Sequence, residues 1–122
     1  GLADSIPIVK TLQDGSRKNL IVLTRPAGYQ KKISAGTYAA ARALRHKYPN
    51  LSATMLGRAK KYNDTRCFCG QLARKQPENT VVLQPAYPLR SFEKDVNALK
   101  QNYQHGYDTA MAQMPQIKAL FA

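Results

Sequence analysis

Apolar and polar positions fall into two similar series along the chain. Leu20 to Leu23 is a short apolar run containing two β-branched residues, and Arg25-Pro26-Ala27-Gly28 ends it, which predicts a strand. Ser34 then reads as an N-cap for an alanine-rich helix reaching Tyr48. Its inward face would be Thr37, Ala41, Leu44 and Tyr48, with Pro49-Asn50 as the stop. Ser52 caps a second helix to about Lys61. The order then repeats, with a strand over Thr80 to Leu83 and a breaker from Pro85 to Pro88. Ser91 is the next cap, Phe92, Val96, Leu99 and Tyr103 the inward face, and Gly106 the stop. Asp108 opens a last helix carrying Met111, Met114, Ile117, Leu120 and Phe121. Before the first series, Ile6 to Leu12 alternates around Pro7 and predicts an edge strand closed by the turn Asp14-Gly15.

The residues themselves also repeat. Ala-Leu-Arg-His-Lys-Tyr at 43–48 returns as Ala-Leu-Lys-Gln-Asn-Tyr at 98–103, and Asn19 to Leu23 returns as Asn79 to Leu83. Each of these strands is followed by a Pro-Ala pair and a tyrosine. The expected fold is α+β, a tandem-duplicated strand–helix–helix unit whose halves pack about a pseudo-twofold axis. Residues 1–16 form an N-terminal arm, 17–62 the first repeat, 63–76 a connector holding Cys67 and Cys69, and 77–122 the second repeat. A unit of this size cannot bury its own apolar face, so one shared core is expected.

Charge changes this picture by giving the first half a direction. Net charge is +12, and residues 17–66 hold twelve Lys/Arg against the single acid Asp64. Such a concentration repels itself unless an anionic partner relieves it. Arg42, Arg45, Lys47, Arg58, Lys60, Lys61 and Arg66 are the candidate partner-binding residues. The partner is either an acidic protein surface or nucleic acid held through its phosphates. No apolar run reaches membrane-spanning length. The chain starts at Gly1 without Met, which suggests a processed end or a piece of a longer protein.

Little of the chain points to catalysis. His46 and His105 are the only histidines, and no carboxylate pair, nucleophile elbow or phosphate-cradling glycine loop is present, so a non-enzymatic protein is expected. Cys67 and Cys69 with His105 make three conceivable metal ligands, short of a closed zinc site, and Cys-x-Cys is not the usual zinc spacing. Neighbouring cysteines so placed rarely close on each other, which argues against a disulfide scaffold. A thiolate flanked by Arg66, Arg74 and Lys75 would instead suit thioether formation.

Three features together, the duplicated Ala-Leu-Arg/Lys-x-x-Tyr, the basic run Arg58 to Tyr62 and Arg66-Cys67-Phe68-Cys69, resemble the linker polypeptides of phycobilisomes, especially γ-type subunits associated with phycoerythrin. The resemblance implies a basic linker or scaffold docking onto acidic subunits of a light-harvesting assembly. It further implies a covalently bound bilin on Cys67 or Cys69, and an intracellular, plastid or thylakoid-associated location. The alternative expectation is a nucleic-acid-binding module using the basic first repeat.

Overall fold

A computed structural model describes residues 4–122 as five helices and two strands, a mixed α+β chain. The elements run α1 (Ile8–Gln13), β1 (Asn19–Val22), α2 (Ala35–Leu44), α3 (Pro49–Lys75), β2 (Thr80–Leu83), α4 (Val96–Ala112) and α5 (Met114–Phe121). They divide into two compact units. The first takes residues up to 15 and 30–69, the second 16–29 and 70–122. The boundary does not follow the sequence copies, because β1 belongs to one unit and α2 to the other.

The first unit is helical. Ser34 caps α2 by accepting the N–H of Thr37 at 3.2 Å, as its sequence position predicts. Pro49, expected only to stop α2, is the first residue of α3, where a missing N–H costs nothing. Ser52 therefore lies inside α3 and is buried. Its hydroxyl donates to the carbonyl of Ala41 at 2.7 Å, which ties the first turn of α3 to α2. Ala41 and Ala59 are buried as well. Asn63 clips the loop before α2. Its Oδ1 accepts the N–H of Lys31 at 2.8 Å and its amide donates back to the Lys31 carbonyl at 3.0 Å.

The second unit holds the sheet. β1 and β2 pair in parallel with Asn19 opposite Thr80 and Val22 opposite Leu83. That is one residue out of step with the sequence match of Asn19 to Asn79. Parallel neighbours need a long crossover, and the intervening chain containing α2 and α3 provides it. Val81, Leu83 and Leu120 form the core, with Ala110 and Ile117 packed against it, so α5 covers both strands and α4 packs on α5.

Several expectations change. Residues 6–12 are not an edge strand, because Pro7 sits at the N-cap of α1, where it opens a helix without breaking one. Most of the expected connector, 63–76, is helical and continues α3 to Lys75, since no proline interrupts it and a lone Gly70 is tolerated in a helix. Gly106 and Asp108 lie within α4, not at a stop and a start, and Asp95, not Ser91, is its N-cap, accepting the N–H of Asn97 at 2.9 Å. The residues expected to face inward in the second series, Phe92, Val96, Leu99 and Tyr103, are all exposed.

Candidate functional site

The basic residues of the first unit do not converge on one face. On α3, Arg58 and Lys60 stand about 200° apart around the axis, since each residue turns the helix by about 100°. Lys60 is paired with Asp64 at 2.6 Å and Lys61 with Asp4 at 3.7 Å. Arg58 and Arg66 are half-buried, each with a buried Nε that has no partner among the described residues. Arg42, Arg45 and Lys47 are exposed around the end of α2. Arg58 also lines a small notch of about 50 Å³ with Lys32 and Thr37.

The two thiols differ. Cys67 is exposed and Cys69 is fully buried, and neither forms a disulfide. Burial pushes the Cys69 thiol up from its ordinary value of 9.0, partly offset by a hydrogen bond from its own backbone. Desolvation at Cys69 thus opposes the thiolate expected beside Arg66, Arg74 and Lys75. Among the described residues no group of three or more His, Cys, Asp or Glu side chains gathers to hold a metal, and no helix is long and apolar enough to cross a membrane.

In the second unit, α4 is turned inside out. Its half-buried positions include Ala98, Asn102, His105 and Thr109, three of them polar. Its exposed stripe is Val96, Leu99, Tyr103, Tyr107 and Met111, at spacings of three and four that put them on one side of a helix. Tyr103 is 74% exposed. Just before the helix, Phe92 is 96% exposed and held at φ 61°, a left-handed conformation uncommon for an aromatic residue.

Beneath α4, a cavity of about 200 Å³ opens at the carboxyl ends of the two parallel strands. Leu23, Leu83 and Leu89 supply apolar wall, and α4 supplies Asn102, His105 and Gly106. Nothing local in the sequence singles out Asn102, and Gly106, expected as a helix stop, lies within α4. An isolated glycine inside a helical pattern was the available signal.

The model of a family described as Domain of unknown function (DUF6363) matches residues 48–122, covering α3, β2, α4 and α5. No curated protein and no solved structure matches the chain.

Proposed function

The chain belongs to the DUF6363 family, a domain of unknown function, and from that premise we propose that it is a non-enzymatic docking module that binds an acidic protein surface within a larger assembly. One observation carries the reading, the exposed stripe of α4 with Phe92 at its entrance. Large apolar side chains held in water gain nothing for the isolated fold, whereas burying them on a partner is favourable at about 25 cal/mol per Å². Aromatic residues and Met are the types enriched at protein interfaces. A helix whose apolar face looks outward while polar groups look inward fits helix-in-groove recognition.

Charge supplies the partner's sign. With a net +12, long-range attraction favours an acidic surface, and exposed Arg42, Arg45 and Lys47 would speed the encounter without needing to sit in the buried contact. The light-harvesting form of this reading would place a bilin on Cys67, the exposed thiol, and intact mass of native material tests it directly. The order strand–helix–helix does recur along the chain, which supports descent from a tandem duplication.

A photocrosslinking residue at Tyr103 tests the docking face, with one at Tyr38 on α2 as the comparison. Docking through α4 gives an acidic protein adduct at position 103 that Leu99→Asp suppresses. Adducts only at position 38, or adducts to nucleic acid, would refute it.

A further inference from the structure

We infer that the cavity at the carboxyl ends of β1 and β2 is a small-molecule site, taking a ring-sized apolar compound that bears one hydrogen-bond-accepting oxygen, carbonyl or carboxylate. The inference stands apart from the docking reading and shares none of its exposed residues.

Gly106 is the first argument. It lies in the interior of α4, where glycine is less favourable than alanine by about 1 kcal/mol. A Cβ built on it meets nothing within 4 Å, and its φ is not one that requires glycine. Neither packing nor backbone conformation accounts for this residue. Gly57 and Gly70 share that open space inside a helix, but Gly106 alone of the three lines the cavity, where the lack of a side chain keeps bulk from its wall.

The walls are held in place from two sides. Arg25 donates to the Leu89 carbonyl at 3.1 Å and to the Ser91 hydroxyl at 3.2 Å, while its guanidinium lies 5.2 Å from the ring centroid of Tyr29. On the other side His105 Nε2 accepts the N–H of Ala86 at 3.0 Å, and the His105 and Tyr87 rings meet at 4.5 Å. The loop after β2 is thereby pinned at both ends, so the site exists before a ligand arrives. Preorganisation of this kind lowers the cost of binding.

The same hydrogen bonds set the ligand's chemistry. Because Nε2 accepts, the proton of neutral His105 resides on Nδ1, which makes that nitrogen a donor. Asn102 Oδ1 faces the Tyr87 hydroxyl at 3.5 Å, leaving the Asn102 amide group with donors to spare. Asn102 and His105 line the cavity together with Thr24, Gln84 and Thr109, and donors among them beside the leucine wall would favour an acceptor on an apolar body. Apolar cavities of about 150 Å³ admit benzene, so about 200 Å³ has room for a substituted ring. Position agrees with chemistry, since open parallel sheets bind ligands outside the carboxyl ends of their strands.

Benzoate is the probe, with benzylamine, equal in size but cationic, as its counterpart. In an amide NMR titration of the full chain, benzoate should shift Leu23, Ala86 and Gly106 in a saturable way, with Kd on the order of 1 mM for so small a ligand. Benzylamine should shift them at least about tenfold less effectively, since it offers no acceptor. Gly106→Leu should fill the space and abolish the benzoate shifts, while Gly106→Ala keeps a folded helix and weakens them. Shifts confined to Arg42, Arg45 and Lys47 would show non-specific anion binding and overturn the proposal. So would equal responses to both probes, or unaltered benzoate binding in the folded Gly106→Leu variant.

Discussion

Nineteen residues apart, the backbone N–H of Ala86 donates to Nε2 of His105 at 3.0 Å, so a loop and a helix of the second unit are joined through a neutral imidazole. Because Nε2 accepts, the imidazole N–H is on Nδ1. Imidazole nitrogen shifts should report the Nδ1–H tautomer, and the Ala86 amide should be protected from exchange. His105→Leu should remove that protection, with a stability loss of only about 1 kcal/mol, because water can reach the exposed Ala86. An Nε2–H tautomer would remove the basis of the expectation.

Ser52 gives a second, independent test in the first unit. Its buried hydroxyl donates to a carbonyl within α2, and removing it leaves the Ala41 oxygen without that donor. Ser52→Ala should lower stability to denaturant by roughly 1–2 kcal/mol, near the cost of leaving a buried polar group unsatisfied. Ser52→Thr, which retains a hydroxyl, should recover part of the loss if the added methyl is accommodated. A change within about 0.5 kcal/mol for Ser52→Ala would mean the bond contributes nothing net.

The strands and the α2 cap were legible because their signals are local. Four apolar, partly β-branched residues between breakers suffice for a strand, and Ser34 followed by an alanine-rich stretch suffices for a capped helix. The end of α3 was not legible. Residues 63–75 combine polar side chains, two cysteines and Gly70 without an apolar stripe, and the helix there continues α3 without carrying a strong signal of its own. Pro7 and Pro49 misled in the same way, since proline marks a helix start as readily as a stop. For α4 the period was read correctly and its direction was not. Spacing at Val96, Leu99 and Tyr103 reveals a shared face, but only the fold shows whether anything in the chain covers it. The strand-end cavity lay further still from reach, because it joins residues from 22 to 109 whose adjacency depends on the parallel register.

Thiol chemistry should separate the two cysteines. Cys67 is exposed, whereas burial raises the Cys69 thiol above 9.0 and closes it to reagents. In the folded protein at pH 8, alkylation should stop at one adduct, on Cys67, and reach two only on unfolding. The linkage has a definite sign. Above about pH 9 the unfolded chain releases a proton that folded Cys69 retains, so its contribution is intact below that pH and stability declines as pH rises through it. Cys69→Ala should flatten the alkaline decline relative to the parent chain. Equal alkylation of both thiols in folded protein would contradict the buried placement.

The outward stripe of α4 makes the sharpest contrast between folding and binding. Leu99 and Leu120 are the same residue type on neighbouring helices, yet Leu99 is 48% exposed and Leu120 only 1%. Leu120→Ala opens a cavity against Val81 and Leu83 and should cost roughly 2–5 kcal/mol, measured by denaturant unfolding. Leu99→Ser and Tyr103→Ser should each stay within about 0.5 kcal/mol, since little is lost from the fold when a half-exposed side chain is trimmed. On an assembled partner the ranking inverts for the stripe. If Tyr103 fills a partner pocket, its truncation should weaken association by about 2 kcal/mol or more, close to thirtyfold in Kd, with the unfolding midpoint unchanged. Large destabilisation by Tyr103→Ser would place the stripe inside the fold, and unchanged affinity would remove α4 from the interface.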